Sequence, residues 1–182
     1  MTLICADTFK WVKSQPNKSV DHIITDYEYG TEFPLAEFVR ICRGNIITFC
    51  SEFDFPLGSA FTEIAYWIKT PSTKNNTKHL SRFVEQIHIL RNLDNDTFNS
   101  DLHWSNYTGV YTDMVEEKGW MWKKPLSLME RLVRIYSNKG DLILDPYCGR
   151  GTTLQAAHNL GRSYIGIDID QTMIDYCQEN IK

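Results

Sequence analysis

Five residues, Asp145, Gly149, Gly151, Thr152 and Asp168, give this chain its first chemical signal. The apolar run Leu142-Ile143-Leu144 ends at Asp145, then passes through Pro146-Tyr147-Cys148-Gly149-Arg150-Gly151 into Thr152-Thr153. This reads as a buried strand, an acidic turn bearing glycines, and a helix start. Glycine lets a backbone approach a ligand closely, and the first turn of a helix offers unpaired N–H groups and partial positive charge. About twenty residues on, Ser163-Tyr164-Ile165-Gly166-Ile167 ends at Asp168, where a carboxylate can take both hydroxyls of a ribose. Two such strands mark a nucleotide-type cofactor lying across the carboxyl edge of a parallel sheet. The spacing is not Gly-x-Gly-x-x-Gly, which disfavours a nicotinamide site, and no Gly-Lys-Ser/Thr follows, which argues against a nucleoside triphosphate.

Other elements must position this pair. Leu3-Ile4-Cys5 reads as a short strand followed by Asp7, and Thr8 to Gln15 as a helix that Pro16-Asn17 stops. Val20 to Thr25 is a second strand ending at Asp26. Pro34 opens a helix through Phe38 and Ile41, with Gly44 expected as its stop. Asn45 to Cys50 suits the middle of a parallel sheet. Ile64–Lys69 and Phe83–Leu90 are further strand candidates, residues 92–119 show no clear period, and Pro125 starts a helix with Leu128, Met129, Leu132, Val133 and Ile135 inward. The spacing predicts helices over 152–160, capped by Gly161, and 171–181, with Asp170 as the N-cap of the latter. The alternation of strands and helices predicts an α/β fold, a doubly wound and mostly parallel sheet, with ligands where strand order reverses.

The 182 residues are read as one domain, with 42% apolar and 23% charged residues in the ordinary globular range. Cys5, Cys42, Cys50, Cys148 and Cys177 have neither metal-ligand nor disulfide spacing, so reduced thiols in a cytoplasmic protein with no metal are expected. No leader and no apolar run of membrane-spanning length is seen, so no membrane partner is expected. The net charge of −4 does not advertise a nucleic-acid binder, but its distribution is uneven. Lys69, Lys74, Lys78, Arg82 and Arg91 stand against Glu85 alone, and Lys118, Lys123, Lys124, Arg131, Arg134 and Lys139 form a second basic group. Solvated surface and a phosphate-tracking face explain these blocks equally well.

Taken in order, the motifs resemble the amino-methylating (N6-adenine/N4-cytosine) DNA methyltransferases of the permuted beta class, in which the catalytic motif precedes the cofactor motif. The family's cofactor string Asp-Pro-Phe-x-Gly-x-Gly-Thr matches Asp145 to Thr152 almost throughout, and Arg162 to Asp170 looks like its ribose-binding strand. Lys124-Pro125 matches its Lys-Pro-Leu helix start, without the leading His-Pro, and Ala6-Asp7 and Ser19-Val20-Asp21 resemble its Gly-Asp and Ser-Val-Asp. The resemblance covers essentially the whole domain and is weakest over residues 50–119.

The resemblance implies a Rossmann-like methyltransferase fold with circularly permuted motif order, binding S-adenosylmethionine and releasing S-adenosylhomocysteine. Asp145, Tyr147, Gly149, Gly151 and Thr152 would cradle the methionine half and Asp168 the ribose, with Lys124 and Pro125 lining the pocket. If Leu3–Cys5 takes the third place in the sheet, Asp7 falls beside the adenine; a helix N-cap is as good a role for it. The catalytic string Asp-Pro-Pro-Tyr is here Asp26-Tyr27-Glu28-Tyr29. Asp26, counted also among the cofactor residues, would accept hydrogen bonds from the target amino group, and Tyr29 would stack on the flipped base. Proline fixes φ near −65°, so without the two prolines Tyr27 and Glu28 must be held by packing. A working site with altered geometry and a cofactor-binding protein without transfer both remain open, as does an RNA or small-molecule substrate.

The partner implied is DNA, with the base flipped from the duplex or single-stranded. Adenine N6 is preferred over cytosine N4, because the string opens with Asp rather than the Ser often seen in cytosine relatives. Room for target recognition is limited to an insert within about residues 70–119, where the basic loop at Lys69–Lys78 and Trp104, Tyr107, Tyr111, Trp120 and Trp122 offer charge and stacking. Short or relaxed specificity, or help from a second subunit of a homodimer, is therefore expected.

Overall fold

A computed structural model of the chain describes residues 1–27, 32–50, 63–69, 84–91, 97–101, 108–114 and 123–182. The elements in chain order are β1 (Thr2–Cys5), α1 (Thr8–Ser14), β2 (His22–Asp26), α2 (Leu35–Ile41), β3 (Ile46–Cys50), β4 (Glu63–Ile68) and β5 (Val84–Leu90). After them come β6 (Val110–Tyr111), α3 (Leu126–Tyr136), β7 (Leu142–Asp145), α4 (Thr152–Asn159), β8 (Ser163–Asp168) and α5 (Gln171–Asn180). Among the described residues the strands form one sheet in the order β1-β8-β7-β2-β3-β5-β4-β6.

Neighbouring isoleucines in β2 and β3 show why the sheet is covered on both sides. Side chains alternate faces along a strand. Ile24 and Ile47 pack with Leu128, Met129 and Leu132 of α3 and Leu154 of α4. Ile23 and Ile46 point the other way, into a second core with Val12 of α1 and Phe38 and Ile41 of α2. The doubly wound reading is correct.

β1 pairs in parallel with β8, so the N-terminal strand takes the third place beside the two cofactor-type strands. The Asn45–Cys50 expectation needs one correction. β3 is fully buried and parallel to β2, but its other neighbour, β5, runs antiparallel to it. Strand direction follows from connections, which an apolar run does not encode. The short β6 also lies inside the span read as irregular, paired with β4 through Tyr66↔Val110 and Trp67↔Tyr111.

Gly44 is not a helix stop. The C-cap of α2 is Cys42, and a Cβ on Gly44 would sit 2.6 Å from the His22 ring and 2.8 Å from the Asp21 carbonyl oxygen. That ring cannot yield. Its Nδ1 accepts the Asn45 N–H at 3.1 Å, and its Nε2–H donates to Asp141 at 3.1 Å. Gly44→Ala is expected to destabilise the fold by roughly 1–3 kcal/mol, the usual cost of overpacking, measured by denaturant unfolding. A variant as stable as the parent would remove this role. Asp170 caps α5 as expected, its carboxylate accepting the Thr172 N–H at 2.8 Å.

Among the described residues no disulfide joins the five cysteines, of which Cys5 is exposed and the others buried. Among the described residues no helix is long and apolar enough to cross a membrane.

Candidate active site

β7 and β2 are neighbours, yet the chain leaves β7 for β8 on one side and β2 for β3 on the other. Strand order reverses there, and the carboxyl ends of the two strands open a crevice of the kind where α/β sheets hold ligands. A cavity of about 280 Å³ fills it, with Asp26, Asp145, Tyr147, Gly149, Thr152 and Lys124 in its wall.

Asp145 closes β7. It is 3% exposed, and its Oδ1 accepts from the Thr25 hydroxyl at 2.8 Å and the Tyr147 N–H at 3.3 Å. The Thr25 bond ties the end of β2 to the end of β7. Burial pushes the Asp145 carboxyl up to about 7, against the Thr153 and Thr25 hydrogen bonds. A folded-state pKa raised in this way adds stability below the ordinary carboxylate range and loses it as pH rises to about 7. At neutral pH this carboxylate is kept at a cost to stability.

The turn after Asp145 is fixed by its backbone. The Cys148 N–H donates to the Ile167 carbonyl at 2.8 Å, and the Gly151 N–H to the Cys148 carbonyl at 2.7 Å. Gly149 has φ +48°, and a Cβ there would meet nothing within 4 Å, so that side faces open space. Gly151, at φ +73°, is the N-cap of α4, and a Cβ on it would strike Cys177 Sγ at 2.7 Å. The two glycines therefore have different reasons: one leaves that side of the turn open, the other lets α5 pack behind it. The Asp168 carboxylate braces the turn from β8, with Oδ2 accepting the Gly149 N–H at 2.8 Å and Oδ1 the Asp170 N–H at 2.9 Å.

The Tyr147 hydroxyl is buried and has no hydrogen-bond partner among the described residues. Burial and then the charge of Asp7 push it up to about 12, so it is a neutral O–H. An unpartnered buried hydroxyl is costly unless something supplies a partner. Together with the open side of Gly149 and the carboxylates at the crevice, it suits a ligand carrying both hydrogen-bonding groups and positive charge.

Asp26 ends β2 at the other side of the crevice. Its Oδ2 accepts from Lys124 Nζ at 2.5 Å, and Lys124, 7% exposed, also reaches Glu85 Oε2 at 3.1 Å. Lys69 in turn pairs with the other Glu85 oxygen. Burial raises the Asp26 carboxyl above its ordinary range even with Lys124 beside it. Burial also works against the Lys124 ammonium, but Asp26 and then Glu85 outweigh it and keep its pKa above the usual lysine value. Glu85 is held low by Lys124 and Lys69, in spite of burial.

Tyr27 replaces the first proline of the resembling string and is held by packing, as its loss of a fixed φ requires. It is 3% exposed, and its ring lies 4.8 Å from that of Phe33, which meets Phe38 edge-on at 5.0 Å. Tyr29 and Glu28 lie outside the described residues.

The remaining expected residues surround the cavity without lining it. Gly151 and Asp168 support the turn from behind. Pro125 directly precedes α3. Asp7 is the N-cap of α1, its Oδ1 accepting the Lys10 N–H at 2.9 Å, and α1 is tied to the turn by the Thr8 hydroxyl on the Pro146 carbonyl at 2.5 Å. Thr25, Glu85, Met129 and Thr153 were not foreseen. For Glu85 a signal existed: it is the one acid in a basic block. Lys69 and Arg91 of that block are bound to Glu85 and Glu63, and Tyr111 is core at 2% exposed. Residues 70–83, with Trp104, Tyr107, Trp120 and Trp122, lie outside the described residues.

The family model described as DNA methylase, of the N6/N4 methyltransferase type, matches residues 6–179. The chain belongs to the N6/N4 DNA methylase family. As a DNA methylase family member it resembles M.HpaI, a type II methyltransferase of Haemophilus parainfluenzae, at 26% identity over 98% of this chain and 73% of that protein. M.EcaI of Enterobacter cloacae is 38% identical over 66 residues, 36% of this chain and only 15% of that longer type II methyltransferase. In fold, the chain is similar to M1.HpyAVI, solved as its S-adenosylmethionine complex, with a TM-score of 0.76, 24% identity and 98% of each chain covered.

Proposed function

We propose that the chain is an S-adenosylmethionine-dependent DNA methyltransferase acting on an exocyclic amino group, adenine N6 in preference to cytosine N4, with short or relaxed sequence specificity. The observation that carries this reading is that Asp26 and the glycine turn share one cavity, joined by the Thr25–Asp145 hydrogen bond. A cofactor seated on the turn and a base held at Asp26 would be neighbours in that space.

When bound, the cofactor supplies an electrophilic methyl group on a sulfonium. Asp145, Tyr147, Gly149, Gly151 and Thr152 would hold its methionine half, Asp168 its ribose, and Asp7 its adenine, while Lys124 and Pro125 would shape the wall. Asp26 accepts an N–H of the target amino group and so turns the nitrogen lone pair toward the methyl group. No strong base is needed: the nitrogen would take the methyl group as the sulfur–methyl bond breaks, leaving S-adenosylhomocysteine, and only then would the methylated nitrogen give its proton to water. Tyr29 stacks on the base, which is flipped from a duplex or taken single-stranded.

The raised carboxyl of Asp145 gives this reading a pH dependence. The cofactor carries net positive charge, which favours the carboxylate over the acid. Cofactor affinity is expected to climb as pH rises to about 7 and then level off, with proton uptake by buffer on binding below that pH. Calorimetry in buffers of different ionisation heats reads both, and a flat profile with no proton release would contradict it.

Transfer itself is tested by incubating the protein with labelled cofactor and unmodified DNA, then digesting to nucleosides. N6-methyl-2′-deoxyadenosine in the digest supports the proposal, and N4-methyl-2′-deoxycytidine corrects its target. Cofactor binding with no product on any DNA favours a binding protein without transferase activity.

A further inference from the structure

The charged groups behind Asp26 go beyond what the methyl-transfer reading uses. Four of them form a continuous chain, from Asp26 to Lys124 to Glu85 to Lys69. It crosses three strands: Asp26 ends β2, Glu85 lies on β5 beyond β3, and Lys69 follows β4. Its two ammonium groups and two carboxylates cancel, which lets the middle of the chain stay buried, with Lys124 7% and Glu85 9% exposed at the side chain. The Lys124 ammonium also lies 4.9 Å from the Phe49 ring centroid and 5.8 Å from that of Trp67. Among the cavity-lining residues are Asp26 and Lys124, but not Glu85 or Lys69.

We propose that Glu85, anchored by Lys69, is a positioning residue that tethers the Lys124 ammonium to Oδ2 of Asp26 and so fixes which Asp26 oxygen meets the target amino group. A lysine side chain has four rotatable bonds and follows its charge into water when nothing holds it. Lys124 arrives just before α3, outside any strand ladder, so its backbone alone does not aim the ammonium at Asp26. Glu85 does, because β5 is fixed between β3 and β4. With Oδ2 occupied, Oδ1 is the oxygen for which the described residues supply no hydrogen bond, and it remains for the substrate N–H. The direction of that acceptor sets the direction of the nitrogen lone pair. This inference rests on the methyltransferase reading for its consequence, but the tether itself does not.

The test uses the full chain with two substitutions. Glu85→Gln keeps the shape and removes the charge, and Glu85→Asp keeps the charge but withdraws it by one methylene. Each is followed by single-turnover methyl transfer to unmethylated genomic DNA, by calorimetric titration of S-adenosylmethionine, and by NMR of the Lys124 ammonium in nitrogen-labelled protein. Wild type is expected to show a slowly exchanging Lys124 ammonium signal, assigned by its loss in Lys124→Met, and both Glu85 variants to lose it. The transfer rate is expected to fall by about 10²-fold, the scale of a 1 Å misplacement, in both variants, with cofactor affinity and the KM for DNA unchanged. An unaltered ammonium signal in the Glu85 variants overturns the tether, and so does a rate loss that appears only as weaker cofactor binding. If wild type methylates no DNA, the functional reading falls, while the ammonium signal still decides whether Glu85 holds Lys124.

Discussion

Asn in place of Asp26 is expected to lower methyl transfer by roughly 10²–10³-fold, the range seen when one preorganised polar group is removed from a reacting centre. Asn offers one acceptor oxygen where the carboxylate offers two, and its amide group would face either Lys124 or the substrate with an N–H. Facing Lys124, it repels a buried ammonium; facing the substrate, it cannot accept from the amino group. Breaking a buried ion pair commonly costs about 3–5 kcal/mol of stability. The loss is expected to be smaller here, since Lys124 keeps Glu85 at 3.1 Å. Asp26 shares the cavity with the turn but sits at its far side, so cofactor affinity is expected to fall far less than rate. Single-turnover transfer beside calorimetric binding separates the two. Transfer at the parental rate would remove Asp26 from the reaction.

Asp168→Ala is expected to have the opposite signature, with cofactor affinity down by about 10²-fold or more. Hydrogen bonds to a charged group contribute roughly 1.5–3 kcal/mol each, and a carboxylate on this strand end can take two ribose hydroxyls. Both of its oxygens already serve the protein, at Gly149 N and Asp170 N, 2.8 and 2.9 Å away. A carboxylate has about four lone-pair sites, so a ribose can be added without displacing either bond. The substitution removes the ribose contacts and releases the Gly149 N–H as well, which loosens the turn. Affinity for S-adenosylmethionine within twofold of the parent would refute this role.

The strand–turn–helix unit of the candidate site was legible because its signals are local. An apolar run ending in a carboxylate, followed by glycines and a helix start, needs no knowledge of the rest of the chain. The place of Leu3–Cys5 beside these strands was an expectation of the family resemblance, which supplied the permuted order, and β1 does pair with β8. What stayed hidden depends on contacts between distant segments. The partners of Lys124 are Asp26, nearly a hundred positions away, and Glu85 on a strand whose reversed direction no apolar pattern states. Lys69 looked like surface charge because a charge block reads the same whether it is solvated or paired. Gly44 looked like a helix stop because glycine after a helix usually is one; the ring that forbids a side chain there comes from another strand. Asp7 had two equivalent readings, and its N-cap geometry satisfies one while leaving a second oxygen for the other.

On this reading the crevice between β7 and β2, with its glycine turn and its two flanking carboxylates, is a pocket for a sulfonium nucleoside. Titrating S-adenosylmethionine into the purified chain by calorimetry, and displacing it with S-adenosylhomocysteine, tests this most directly. One saturable site, competed by the product and weakened by Asp168→Ala, is the result expected. A chain that takes up neither compound would contradict the account at its root.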